Sequence, residues 1–65
     1  MKPKYDIEVQ FTGQDGNAYN LLGLVRRALK DAGATPEEIA LFLSEATSGN
    51  YDNLIMVCNS WVIIT

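Results

Sequence analysis

The chain has 65 residues, with five basic and eight acidic side chains that give a net charge of −3. A chain of this length holds one hydrophobic core, so we expect a single domain over residues 1–65. Its composition, 48% hydrophobic and 20% charged, is typical of globular proteins and argues against disorder. The sequence contains no apolar run long enough for a membrane span and no signal-peptide pattern, so we expect a cytoplasmic protein with no membrane partner.

The counts of cysteine and histidine limit the chemistry of the chain. Cys58 is the single cysteine and the sequence has no histidine. An internal disulfide is therefore excluded, and no zinc ligand set can be assembled. No nucleophile–base pair is visible either, so we expect a non-enzymatic protein with no metal and no cofactor.

The charges are distributed unevenly along the sequence. All five Lys and Arg residues lie within residues 1–30, whereas residues 31–65 contain five acids and no cation. A recognition helix in the second half would meet nucleic-acid phosphates with no counter-charge. We therefore predict no nucleic-acid partner.

The first predicted element is a half-buried strand over residues 5–11, in which apolar and polar side chains alternate without exception. A polar, glycine-containing turn over residues 12–17 follows it. Asn17 then has the side chain of a helix N-cap, and a continuous apolar stripe predicts a first helix from Ala18 to Ala32. Gly33 is placed to end this helix.

Two further helices are predicted in the acidic half. Thr35, Pro36 and Glu38 form the pattern of a capping box and indicate a helix over 36–46. Asn50 has the N-cap role for a third helix over 51–59, on whose inward stripe Cys58 packs as a small hydrophobic residue.

The last predicted element is a strand over residues 61–65, which completes an α+β domain of order β-α-α-α-β. Three helices would pack on a two-stranded sheet. Counting one chain reversal at each connection gives parallel strands, whereas antiparallel pairs are far commoner and an isolated parallel pair is rare. On that base rate we predict an antiparallel pair.

Four groups of residues stand in order along the chain: Gly13-x-Asp15-Gly16-Asn17-Ala18, Glu37-Glu38-Ile39, Glu45-Ala46-x-Ser48-Gly49-x-Tyr51-Asp52-x-Leu54 and Trp61-Val62. Together they resemble a family of small uncharacterised (hypothetical) proteins from phages and bacterial mobile elements, over nearly the whole chain from Gly13 onward. That family has no assigned activity. The resemblance therefore implies a phage or mobile-element setting and no catalytic residue.

Polar residues before the first and third helices form one candidate binding surface: Asp15, Asn17, Asn50, Tyr51 and Asp52. If the helices pack up-down-up, the first and third helices begin at the same end and bring these residues together. The group could hold a cation, a small ligand or the backbone of a partner. The alternative is local: two amides capping helices, Asp15 in a turn, and Asp52 stabilising the helix dipole.

A second candidate surface is a basic patch on the first helix, formed by Arg26, Arg27 and Lys30. It could contact a phosphate group or an acidic protein, although three charges on one helix are often only a solvated face.

The C-terminal strand is the third candidate surface because both of its faces are apolar, with Trp61 and Ile63 on one and Val62 and Ile64 on the other. A chain this small covers both faces of such a strand with difficulty, so we predict a homodimer that pairs these strands. Packing within one chain is the alternative.

The function predicted overall is a protein–protein interaction module, and the alternative is an accessory protein that binds a small ligand or metal through the Asp15 and Asp52 loops.

Overall fold

The computed structural model describes residues 3–65. Its elements are β1 (Glu8–Val9), α1 (Ala18–Asp31), α2 (Pro36–Ala46), α3 (Tyr51–Trp61) and β2 (Ile63–Ile64). The predicted α+β fold, with three helices and a two-stranded sheet, is confirmed. Within residues 3–65, no helix combines the length and the apolar character needed to cross a membrane.

The two strands are parallel, so the antiparallel prediction was wrong. Glu8 lies beside Ile63 and Val9 beside Ile64. The Ile63 amide donates to the carbonyl oxygen of Ile7 at 2.8 Å. The parallel pair agrees with the count of one chain reversal at each connection and departs from the general preference for antiparallel pairs.

Hydrogen bonds continue the pairing beyond the two short strands. The Tyr5 amide donates to the carbonyl oxygen of Trp61, and the Phe11 amide to that of Thr65, both at 2.9 Å. Side chains over residues 5–11 alternate between exposed and covered, as the sequence pattern predicts. The hydrogen bonding between the two segments therefore extends over residues 5–11, although Tyr5 lies in a bend and the regular strand is limited to Glu8–Val9.

Side-chain caps fix the beginning of every helix, at the positions predicted from sequence. The Asn17 side chain accepts from the Tyr19 amide at 2.9 Å, and the Asn50 side chain accepts from the Asn53 amide at 3.0 Å. At α2, Thr35 Oγ1 accepts from the Glu38 amide at 3.2 Å. The Glu38 carboxylate accepts in return from the Thr35 amide at 3.3 Å and completes the capping box.

The end of α1 is a glycine-terminated turn. Gly33 has φ +91°, a conformation that a residue with a Cβ adopts only with strain. Its amide donates to the Lys30 carbonyl, and the Ala34 amide donates to the Leu29 carbonyl. This pair of bonds satisfies carbonyl groups that the helix leaves free, and it turns the chain towards α2.

The third helix is longer than predicted. It continues through Trp61, because the Val62 amide still donates to the carbonyl oxygen of Cys58 at 2.9 Å. Leu54, Cys58 and Trp61 are spaced four and three residues apart and form one buried stripe. Trp61 therefore belongs to α3, and the last strand begins at Ile63.

The centre of the core is the Trp61 ring, which is 1% exposed. Phe42 meets it edge-on, with ring centroids 5.7 Å apart, and Tyr5 stacks on it at 6.4 Å. The indole Nε1–H donates to Glu45 Oε1 at 2.9 Å, so the buried polar atom keeps a partner. Val62 is also fully buried. The sheet, α2 and α3 thus meet around one aromatic residue.

Candidate functional site

The loops that precede α1 and α3 lie side by side. The Tyr51 hydroxyl, at the start of α3, donates to the carbonyl oxygen of Gly16, just before α1, at 2.7 Å. This bond joins residues far apart in sequence and fixes the two helix starts at one end of the molecule. The structure therefore places Asp15 and Asn17 on one loop and Asn50, Tyr51 and Asp52 next to it.

Most of the polar groups in these loops have partners close by in sequence. Asp15 Oδ1 accepts from the Asn17 amide at 3.1 Å, and the Asp15 carbonyl accepts from the Asn20 side chain at 2.9 Å. Asn17 and Asn50 are helix caps. Asp52 is exposed in the first turn of α3. Within the predicted cluster, Tyr51 is the residue whose side chain bonds across to the neighbouring loop.

Between the two helix starts lies a concave, mainly apolar surface with a cavity of about 280 Å³. We call it the tyrosine groove, and define it by Ala18, Tyr19, Leu22, Asn50, Tyr51 and Leu54. Tyr19 is 85% exposed and Tyr51 is 47% exposed. Two aromatic rings thus stand at an apolar concavity without being used to fill the core.

Sequence reasoning selected Tyr51 and Asn50 but missed Tyr19. Tyr19 lies near the start of α1, outside the apolar stripe that contains Leu21, Leu22 and Val25. The sequence feature that could have identified Tyr19 was its position as an aromatic residue outside the buried stripe of an amphipathic helix. Asp15 and Asp52 do not line the groove.

The basic patch lines a second concavity. Arg26, Arg27 and Lys30 surround a cavity of about 450 Å³ together with Asp31 and Ile39. We call these five residues the basic cavity. The structure therefore brings the three predicted cations to one concave surface, on the half of α1 away from the tyrosine groove.

The C-terminal surface divides into a buried and an accessible part. Trp61 and Val62 pack inside their own chain, whereas Ile63 and Ile64 are each partly exposed. The accessible part of the predicted dimer surface is therefore β2 itself.

The ionisable groups with clear pKa shifts lie away from the tyrosine groove. The neighbouring Tyr5 phenol, together with the hydrogen bond from the Thr35 amide, lowers the pKa of Glu38, and the proximity of the Glu38 carboxylate raises the pKa of Tyr5. Burial raises the pKa of the Cys58 thiol to about 11, which makes this fully buried group a poor nucleophile. Among residues 3–65, no group of three His, Cys, Asp or Glu side chains is arranged to hold a metal ion.

Comparison of the chain with protein-family models, with curated proteins and with solved structures finds no match in any of the three. The function is therefore inferred from the chemistry of the surfaces. Of these surfaces, the tyrosine groove is the one whose lining includes two exposed aromatic side chains, those of Tyr19 and Tyr51.

Proposed function

We propose that this protein is a non-enzymatic protein–protein interaction module that binds its partner at the tyrosine groove. The observation that carries the proposal is Tyr19, which is 85% exposed beside an apolar cavity. Tyrosine and tryptophan are enriched among the residues that dominate interface energetics. They supply a large contact area together with one hydrogen-bonding group and lose little conformational freedom on binding.

Hydrogen bonds at the two helix starts beside the groove favour a binding role. Tyr51 is held by its hydrogen bond to Gly16, and both helix starts are capped by asparagine side chains. A surface that is ordered before binding loses less entropy when the partner docks. Asp15, on the loop before α1, and Asp52, in the first turn of α3, lie near the groove and would favour a partner with a basic rim.

The resemblance to small phage and mobile-element proteins supplies the proposed setting. In that setting the protein acts in the cytoplasm and the partner is a host or phage protein. The phage or mobile-element setting rests on the resemblance alone, whereas the cytoplasmic location is inferred from the sequence pattern.

A pull-down from host cells with three tagged proteins tests the proposed function. We expect the wild type to capture a specific partner and Tyr19→Ser to lose it. Met56→Ser is the matched control, because Met56 is 66% exposed on α3 but does not line the groove. Equal capture by the wild type and by Tyr19→Ser would contradict the proposal.

We also propose a homodimer formed through β2. The amides of Ile63 and Thr65 donate to the carbonyl oxygens of Ile7 and Val9. The Ile64 amide between them therefore points the other way, to the open edge of the sheet. Pairing this edge with that of a second copy would satisfy the backbone groups and cover Ile63 and Ile64. Sedimentation at micromolar concentration should show a dimer that Ile63→Lys dissociates. A 7.2 kDa species for the wild type would refute the dimer.

The alternative function is an accessory protein that binds a small ligand or a metal ion through Asp15 and Asp52. The observation in its favour is the Tyr51–Gly16 hydrogen bond, which keeps the two acidic loops adjacent. Titration with Mg²⁺ or Ca²⁺, followed by NMR, distinguishes the alternatives. Saturable shifts at both loops that Asp15→Ala and Asp52→Ala abolish, and that Tyr19→Ser leaves unchanged, would favour the accessory protein.

A further inference from the structure

The basic cavity combines cationic, anionic and apolar side chains on one surface. Arg26 and Lys30 lie one helical turn apart on α1, as do Arg27 and Asp31, and Ile39 of α2 contributes an apolar wall. The three cations are exposed, and the side-chain hydrogen bonds found within residues 3–65 are made by other residues. Their donor groups are therefore available to a ligand.

We infer that the basic cavity binds an acidic peptide segment of a partner protein. This inference rests on the proposed function in one respect, that the ligand is a protein, and it assigns a second surface that is separate from the tyrosine groove. Arginine side chains match the geometry of a carboxylate with two parallel hydrogen bonds, and lysine adds a compact positive charge.

The mixed lining favours a peptide over a simple oxyanion. A fully ionised phosphate ester offers acceptors alone, and inorganic phosphate adds only a hydroxyl donor, so neither has an apolar group for Ile39. An acidic peptide offers carboxylates to the cations, backbone N–H donors to Asp31 and an apolar side chain to Ile39. Each component of the cavity thus has a complementary group on one ligand.

The surrounding charge favours a short acidic segment over a nucleic acid. Residues 31–65 carry five acids and no cation, so the positive surface on this helix is local. A long polyanion would extend beyond the cavity and meet like charge. The residues lining the cavity, all within the described range 3–65, include no aromatic side chain on which a base could stack.

NMR titration of the ¹⁵N-labelled protein with the blocked peptide acetyl-Glu-Glu-Leu-Glu-Glu-amide tests the inference. The matched probe replaces every Glu with Gln. At low salt we expect the acidic peptide to bind at least about tenfold more tightly, with shifts in the second half of α1, and to weaken as salt screens the charges. The double variant Arg26→Gln/Arg27→Gln should weaken binding about tenfold, because it removes two charged contacts.

Lys4→Gln is the matched control, because the Lys4 ammonium lies over the Trp61 ring, outside the basic cavity. The variant to compare with it is Lys30→Gln, which also removes one charge but inside the cavity and should weaken binding. An unchanged affinity in Lys4→Gln supports a local site, whereas a loss equal to that of Lys30→Gln would show a response to net charge only and overturn the inference. Equal binding of the two peptides would also overturn it, as would inorganic phosphate that saturates the same site more tightly than the peptide. Tyr19→Ser should leave the titration unchanged, so failure here and failure of the tyrosine groove are distinguishable.

Discussion

The two ends of the molecule use aromatic side chains in opposite ways. We call the cluster of Trp61, Phe42 and Tyr5 the sheet end, because Tyr5 and Trp61 precede the two strands. There the Trp61 side chain is 1% exposed and packs against the other two rings. At the end where α1 and α3 begin, Tyr19 is 85% exposed. The comparison shows where the chain obtains its stability and where it leaves apolar surface accessible to another molecule.

The difference is significant because the chain is small. A domain of about 60 residues buries only about 60% of the surface of its unfolded chain, so each large side chain contributes a substantial part of the stability. Full burial of such a side chain is worth about 1.5–3 kcal/mol. The Tyr19 side chain contributes almost none of this burial free energy, because it is 85% exposed. In the function proposed above, its ring contributes to partner binding instead.

The largest expected effect is at the sheet end. Phe42→Ala removes a fully buried ring against Trp61 and should cost about 3–5 kcal/mol. Because a core of this size supplies roughly 3–5 kcal/mol in total, we expect the variant to be largely unfolded at 25 °C by circular dichroism. Phe42→Leu, which keeps most of the volume, should remain folded. A Phe42→Ala protein with a wild-type urea midpoint would show that the aromatic cluster does not hold the domain together.

A smaller effect is expected at the start of α2, which positions Phe42. Thr35→Ala removes the hydroxyl that accepts from the Glu38 amide and should cost about 0.5–2 kcal/mol in urea denaturation. Thr35→Ser retains the hydroxyl and should stay close to the wild type. If both variants lose the same amount, the methyl group rather than the cap is responsible.

The sheet end should also make stability depend on pH. The pKa of Glu38 is lowered from 4.5, so its contribution is full above pH 4.5 and is lost as the pH falls through the folded-state value. The pKa of Tyr5 is raised from 10.0, so its contribution is full below pH 10 and is lost as the pH rises through its folded-state value. Urea midpoints measured across this range should decline at both ends, and less so in Glu38→Gln. Glu37→Gln is the control at the neighbouring position, and a profile that Glu38→Gln leaves unaltered would disprove the coupling.

The smallest change is expected at the other end. Tyr19→Ser should alter the free energy of unfolding by no more than about 0.5 kcal/mol, as for an exposed position without special contacts. The same urea titration measures it. A loss above 1 kcal/mol would mean that Tyr19 supports the fold, and the contrast between the two ends would disappear.

Features that depend on neighbouring residues could be predicted from the sequence. Asn17, Thr35 and Asn50 cap their helices because a side-chain oxygen reaches an amide two or three residues further on, and Gly33 ends α1 for an equally local reason. The composition and element order gave the α+β class. Strand orientation depends instead on how three helices pack, and the frequency of antiparallel pairs was a poor guide to that packing.

Trp61 and the tyrosine groove show two other limits of sequence reasoning. An apolar run after a helix fits either the last helical turn or a buried strand, so Trp61 was assigned to the wrong element. Counting chain reversals placed the starts of α1 and α3 at one end only on the condition that the helices pack up-down-up, and the antiparallel strand prediction argued against that condition. The groove itself forms only when Leu22 and Leu54 come together from separate helices, and no pattern within one segment indicates that contact.

The pairing of Glu8 with Ile63 joins segments from opposite ends of the described chain. Contacts that distant in sequence close a long loop and form slowly, whereas helix turns and their caps form locally and early. We therefore expect the helices to assemble before the strands dock. Until the strands dock, the Trp61 ring lacks its contact with Tyr5. In this order of folding, the sheet completes the core last and does not nucleate it.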